Sequence, residues 1–231
     1  QIEYFHEFKY FTGLTNKRIM NTDFRGCMNL KELTIPLGVK ELSYDCFSGL
    51  TNLEQVNIPD SVTIIASANV FNGCNLKRFE AYGVITYIGG SAFRNNKNLL
   101  SCLIPNAVIT EIESNLFQGC ISLESFTIPE TVTSIGFEAF NGCSSLKKLL
   151  IPQHVVTIRH LVFTGCTSMR YLILLPVTPP TLTNSDSFNN TNDCPIYVPV
   201  GSVDAYKTAT NWNRYANRIK PMSEFVDNSI S

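Results

Sequence analysis

Apolar positions recur along this chain in blocks, and the blocks repeat before any single strand or helix is evident. Phe24-Arg25-Gly26-Cys27, Phe71-Asn72-Gly73-Cys74, Phe117-Gln118-Gly119-Cys120, Phe140-Asn141-Gly142-Cys143 and Phe163-Thr164-Gly165-Cys166 share one pattern, F-x-G-C. Phe47-Ser48-Gly49-Leu50 and Phe93-Arg94-Asn95-Asn96 fill the same slot with substitutions. The phenylalanines fall at 24, 47, 71, 93, 117, 140 and 163, in steps of 23, 24, 22, 24, 23 and 23, and Phe188 follows after 25. Such a period predicts a solenoid whose coil is one short supersecondary unit.

Each F-x-G-C leads into L-x-x-L-x-I-P. Four copies match it or come close: Leu30, Leu33, Ile35 and Pro36; Leu53, Val56, Ile58 and Pro59; Leu123, Phe126, Ile128 and Pro129; Leu146, Leu149, Ile151 and Pro152. The last two apolar slots alternate with the period of two that a strand with one buried face requires. Proline then ends the strand, having no N–H for the next ladder bond. A third block, V-x-x-I, follows: Val39 and Leu42, Val62 and Ile65, Val132 and Ile135, Val155 and Ile158. It predicts a second short extended segment, then a tight turn relaxed by the glycine two residues after Phe. One coil buries too little to fold alone. Stacked coils align like side chains at about 4.8 Å, so the Phe column becomes an aromatic spine and the Leu and Ile columns fill the core. Eight strands give about 34 Å of solenoid, and each buried side chain of this kind contributes roughly 1.5–3 kcal/mol.

The repeated triple motif resembles the BspA-like leucine-rich-repeat family, found mainly on the surfaces of Bacteroidetes and other anaerobic bacteria and in some parasitic protists. The family pattern N-L-x-x-L-x-I-P-x-x-V-x-x-I-x-x-x-A-F-x-G-C is met nearly in full by Ser122 to Cys143. The resemblance extends over about residues 11 to 220. It implies a β-rich repeat solenoid, a right-handed leucine-rich-repeat coil of ~23-residue repeats with short turns and a C-terminal cap containing a short helix. Residues 1–13, with Phe8 to Thr15 resembling the family's opening, are expected to form an incomplete N-terminal cap; residues 14–188 the solenoid; residues 189–231 the C-terminal cap. Ile196 to Lys207 resembles the closing cap of Bacteroides-type members. Within it Ser202 is the expected N-cap of a helix over Val203 to Thr208, with Asp204 near its positive end. Trp212, Tyr215 and Ile219 are expected to cover the last coil, which would otherwise expose its core and a sheet edge.

Departures from the pattern are local. Leu76, Phe79, Ala81 and Tyr82 lack the Ile-Pro ending, so that strand is expected to run on or bulge. Phe93-Arg94-Asn95-Asn96 lacks both Gly and Cys, which puts its turn in question. After Met169 the strand reads Leu172, Leu174, Leu175, Pro176, with Pro one residue late, and Pro176 to Asp193 reads as a loop between repeats and cap.

Composition narrows the function classes. The chain has 231 residues, 18 Lys+Arg against 19 Asp+Glu, and only 16% charged residues. Near-neutral charge argues against a nucleic-acid or anionic-membrane binder, which needs a clustered basic surface. No run of eighteen apolar residues predicts a transmembrane helix. The opening Gln1-Ile2-Glu3-Tyr4-Phe5-His6 lacks the features of a signal peptide, so a removed targeting segment or a longer parent protein is expected, with lipid anchoring through upstream sequence as one route to a membrane.

The eight cysteines form no C-x-x-C pair, and Cys27, Cys74, Cys120, Cys143 and Cys166 share one coil position. The reading favoured here is a buried column of free thiols packing as small apolar groups, ahead of disulfides or a metal. A metal site needs converging ligands, and His6, His154 and His160 are scattered. No nucleophile elbow, G-x-G-x-x-G or P-loop occurs, so neither a catalytic centre nor a cofactor or metal is expected. Glu32, Glu54 and Glu124 follow the repeat and read as solvated positions, and the Asn189-Asn190-Thr191 sequon as a surface loop.

What remains is surface. Residues between the buried ones of L-x-x-L-x-I face outward, in one column of Thr34, Asn57, Glu80, Leu103, Thr127, Leu150, Ile173 and Tyr197. The neighbouring column reads Glu32, Gln55, Arg78, Ser101, Ser125, Lys148, Tyr171 and Pro195. The last three coils thus gather Leu150, Tyr171, Ile173 and Tyr197, an apolar group unusual without a partner unless the cap or the Pro176–Asp193 loop covers it. The resemblance implies a non-catalytic adhesion or recognition scaffold at the cell surface or secreted, monomeric, binding a host or microbial surface protein or glycan through this inner sheet face. A structural spacer or display module of a larger surface protein is the alternative.

Overall fold

The structure is a computed structural model and describes residues 2–10, 17–20 and 22–226. The chain winds as a parallel β-solenoid with two ranks of short strands. The first rank comes from the L-x-x-L-x-I blocks: Glu32–Thr34, Gln55–Asn57, Arg78–Glu80, Ser101–Leu103, Ser125–Phe126, Lys148–Ile151, Tyr171–Leu174 and Ile196–Val198. Tyr4–Phe5 pairs in front of this rank and Ile219–Pro221 behind it, so ten described strands line up over about 43 Å, two more than the eight expected from the repeat. The second rank comes from V-x-x-I: Arg18–Ile19, Glu41–Leu42, Ile64–Ala68, Tyr87–Gly90, Glu111–Ile112, Ser134–Ile135, Thr157–Ile158 and Thr181–Leu182.

Register places like on like. Leu33 pairs with Val56, Leu149 with Leu172 and Leu172 with Ile196, all in the buried slot. Two junctions of the first rank loosen. Between Gln55–Asn57 and Arg78–Glu80, and between Ser125–Phe126 and Lys148–Ile151, the coils stay joined by Lys77 N–H to Glu54 O and Lys147 N–H to Glu124 O, both 3.1 Å. The proline that ends each block also closes a turn: the Pro59, Pro129 and Pro152 carbonyls accept the N–H of Val62, Val132 and Val155 three residues on.

The phenylalanine spine runs the length of the core. Ring centroids from Phe8 through Phe24, Phe47, Phe71, Phe93, Phe117, Phe140 and Phe163 to Phe188 are 5.2 to 5.8 Å apart. Most neighbours are stacked, at a spacing wider than the strands because offset rings are favoured over face-to-face ones. Phe79 and Phe126, which take the second Leu slot, wedge against the spine at 4.7 and 4.8 Å.

All eight cysteines are free thiols, and all but Cys27 are buried. The shared coil position does more than pack. The Sγ of Cys74, Cys120, Cys143 and Cys166 donates to the carbonyl of the preceding spine phenylalanine at 3.0 to 3.3 Å. Burial pushes the Cys74 and Cys120 thiols up to about 12 and raises Cys102, Cys143 and Cys166 as well.

Several local expectations need correction. Arg78–Glu80 neither runs on nor bulges: Ala81 takes the Ile slot, buried, and its N–H bonds the Leu103 carbonyl at 3.0 Å. The irregularity sits in the other rank, where register shifts between Ile65 and Ala68. Six steps separate Ile65 from Phe71 instead of the five between Ile135 and Phe140, and the extra residue is accommodated as a bulge. The Phe93 turn is intact: Asn95 adopts φ 60°, as Gly119 and Gly142 do at 73° and 74°, and asparagine tolerates that left-handed region. The stretch from Pro176 to Asp193 holds the strand Thr181–Leu182 and the spine residue Phe188, so it is a coil more than a loop. The sequon lies in its F-x-G-C slot, where Asn190 has φ 56° and buried Thr191 donates to the Phe188 carbonyl at 2.8 Å.

At the C-terminal end the helix spans Val203–Thr208 with Asp204 in its first turn. Ser202 precedes it without a side-chain cap; a turn over Val200–Ser202 instead ties its N–H to the Pro199 carbonyl. Trp212 closes the spine against Phe188 at 5.6 Å and donates Nε1–H to the Pro180 carbonyl, while the Tyr206 hydroxyl donates to the Pro176 carbonyl. At the other end Phe8 is buried on Phe24 and stacks on Phe5. Residues 11–13 of the expected N-terminal cap lie outside the described residues. Among the described residues no helix is long and apolar enough to cross a membrane.

Candidate binding face

The outward face of the first rank divides into a polar half and an apolar half. In the polar half the side chains hold one another. The Asn57 Nδ2 donates to Thr34 Oγ1 at 3.0 Å and to Glu32 at 3.4 Å, and Gln55 Nε2 donates to Asn57 Oδ1 at 3.1 Å. Along the rim, Lys31 pairs with Glu3, Lys77 with Glu54 and Lys147 with Glu124, each across one coil. The expected solvated carboxylates Glu54 and Glu124 are therefore ion-paired. The last two pairs sit where the strand ladder loosens, although exposed pairs of this kind contribute little stability. Hydrogen bonding and charge from Lys31 hold the Glu3 carboxyl below its usual range.

The apolar half brings together all four residues expected there. Leu150 pairs directly with Ile173, and Ile173 with Tyr197, in one column across three strands. Tyr171 precedes Ile173 by two residues and so shares its face. Leu150 is 41% exposed, while Tyr171, Ile173 and Tyr197 are half-buried. Leu150, Tyr171 and Ile173, together with Thr127, Glu130 and Lys148, line a groove open to solvent, and Tyr197 lies beside it.

One contributor was not legible beforehand. Phe225 lies beyond the last strand, and its ring meets Tyr171 at 4.9 Å and Tyr197 at 5.1 Å, in a T-shaped arrangement with each. The covering ring thus comes from the C-terminal tail, whereas Pro176 to Asp193 continues the second rank and the spine. Phe225 falls in no repeat slot, so no periodicity could place it. Lysines flank the aromatic pair: Lys148 is in register with Tyr171, and Lys220 with Tyr197.

Elsewhere, the second rank carries Glu111 and Glu113 beside Tyr87. Burial first, and Glu111 second, raise the Glu113 carboxyl above its usual range, while a hydrogen bond with Tyr87 opposes the rise. The His160 ring packs on Phe137 at 4.4 Å. Among the described residues no three His, Cys, Asp or Glu side chains converge as a metal site.

Comparison with known proteins agrees with this architecture. A family model described as BspA type leucine rich repeat region matches residues 17–111 and 110–204 with six copies. A leucine-rich repeat protein from Bacteroides ovatus is 24% identical, with a TM-score of 0.51 over 80% of this chain and 59% of its own. A leucine rich cell surface protein from Faecalibacterium prausnitzii is also 24% identical, with a TM-score of 0.49 over 86% of this chain and 62% of its own. The chain thus spans about six tenths of the length of each, and the first likeness shows the fold alone. Comparison with curated proteins finds no match. With the repeat model covering most of its length, the chain belongs to the BspA-type leucine-rich-repeat family.

Proposed function

We propose that this chain is a non-catalytic recognition scaffold that acts outside the cell, at the surface or secreted. It holds a protein or glycan partner on the outward face of its first strand rank through Leu150, Tyr171, Ile173 and Tyr197. The observation that carries this reading is the contiguity of these four side chains on a face whose other half is polar and self-paired. Phe225 covers only part of this group and Leu150 stays exposed beside it, and tyrosines suit an interface because they offer apolar area and a hydroxyl together. Surface location rests on family membership.

A spacer or display role is the second reading. It is favoured by the closed hydrogen-bond and ion-pair network of the polar half, which leaves few groups directed at a ligand.

A panel of immobilised host matrix proteins and glycans, probed with the wild-type chain and with the Leu150→Ser/Ile173→Ser double variant, separates the two. Recognition requires at least one partner bound by the wild type and lost by the variant at nearly unchanged melting temperature. A sharp drop in melting temperature would make the pair structural, and equal binding by both proteins would move the site off this face.

A further inference from the structure

Phe225 forms part of the groove wall and fills the slot between Tyr171 and Tyr197 in the way a ligand side chain would. It comes from a tail turn, Met222–Glu224, that follows the last strand, and it contributes to no core column. Its ring makes T-shaped contacts with both Tyr171 and Tyr197, which belong to neighbouring strands, while Leu150 beside them stays partly open. Lys148 lies on one side of this slot and Lys220 on the other. In the sequence, the acidic residues Glu224 and Asp227 flank Phe225. An aromatic ring next to the acidic Glu224 thus meets an aromatic slot whose neighbouring strands carry Lys148 and Lys220, a complementary pairing of rings and charges.

We infer that the groove recognises an extended peptide segment carrying an aromatic residue flanked by acidic ones, and that the chain's own tail is a tethered competitor for it. This rests on the reading of the face as a recognition site and narrows its partner to protein. Tethering sets the strength of the competition. A segment joined to the last strand by a few residues acts at an effective concentration in the millimolar range, about enough to exclude weak ligands while yielding to strong ones. An incoming segment must therefore displace Phe225, and the apparent affinity is lowered by the fraction of time the slot is filled.

The test uses the full chain, as wild type and as Phe225→Ala, with a synthetic peptide carrying the sequence of residues 222–227 as probe. The readout is the ring-proton resonances of Tyr171 and Tyr197. The substitution alone should shift both, with the melting temperature unchanged. The peptide should then produce saturable shifts in the Phe225→Ala chain, and weaker ones in the wild type, by about tenfold in apparent Kd. Replacing the phenylalanine of the peptide by alanine should abolish the shifts, and Lys148→Ser with Lys220→Ser should weaken binding and flatten its salt dependence. Equal binding to both chains, no shift on substitution, or binding that survives loss of the peptide's phenylalanine would each overturn the inference. A wild-type dimer that Phe225→Ala dissociates would place the tail on a second copy and overturn the intramolecular assignment. Failure to find any partner on the panel would sink the recognition reading but leave this peptide measurement standing, so the two fail separately.

Discussion

Asn96 donates its Nδ2–H to the Phe71 carbonyl at 2.7 Å, the bond that Cys120 makes with its thiol to Phe93 one coil later. Asn96 is completely buried, and its second Nδ2 bond reaches the Phe93 carbonyl while its Oδ1 accepts the Leu76 N–H. The position therefore favours a small buried donor aimed at the previous coil, and cysteine is the usual answer. Asparagine meets the same demand with a stronger bond and compensates its extra polar atoms locally. Leu50 stands in the slot with no donor to offer, which shows that the bond is useful but not obligatory at every coil.

Replacing Asn96 by Ala should cost about 1–3 kcal/mol in reversible denaturation, because the Leu76 N–H and the Phe71 carbonyl lose partners in a dry interior. Asn96→Cys should recover part of that loss by restoring the bond to Phe71. Equal stabilities for the two variants would show that the thiol bond contributes nothing.

Phe140 has spine neighbours on both sides, Phe117 at 5.5 Å and Phe163 at 5.8 Å. Phe140→Ala should cost about 3–5 kcal/mol, since coils held by their strand ladders cannot close over the cavity. Urea unfolding at constant m-value measures it, and a loss below about 1 kcal/mol would contradict the buried spine.

The thiols make the fold base-sensitive. Burial holds the folded values of the buried thiols above the ordinary thiol value, with Cys74 and Cys120 at about 12, so the unfolded chain releases these protons first as pH rises. The stabilisation is complete below about pH 8.5 and is lost as pH climbs towards the folded value, at roughly 1.4 kcal/mol per pH unit for each thiol. Thermal melts under reducing conditions from pH 7 to about pH 10.5 should show this decline. The Cys120→Ala/Cys143→Ala double variant should show a shallower slope. In the same pH range a thiol reagent should leave native protein largely unmodified and label nearly all eight cysteines after unfolding. Few free thiols after unfolding without reductant would restore the disulfide alternative.

Leu161 adopts φ 59°, at the turn position where other coils carry Asp45, Asn69, Ser91, Asn115 and Glu138 with similar values. A branched apolar side chain is strained there, whereas asparagine accepts the left-handed region at lower cost. Leu161→Asn should therefore raise stability by about 0.5–1 kcal/mol, read as an increase in melting temperature. A decrease would mean that packing of the half-buried leucine outweighs its backbone strain.

The period, the core columns and both strand ranks were legible in the sequence, because a solenoid repeats one local solution and stacks it on itself. Once Leu, Ile and Phe recur at a fixed spacing, burial forces like against like, as the pairing of Leu149 with Leu172 shows. The outward group of Leu150, Tyr171, Ile173 and Tyr197 followed from the same register. Tertiary structure decided what the repeat does not constrain. The insertion between Ile65 and Phe71 settled as a bulge in the second rank, since an extra residue can be expelled there without moving a spine ring. Thr191 read as a surface sequon because its burial depends on Arg218, whose guanidinium reaches its hydroxyl from 27 residues away. Phe225 belongs to no repeat, and only the completed sheet creates the slot between Tyr171 and Tyr197 that receives it. Periodic burial can be read along the chain, but a single contact between a tail and a finished surface exists only in three dimensions.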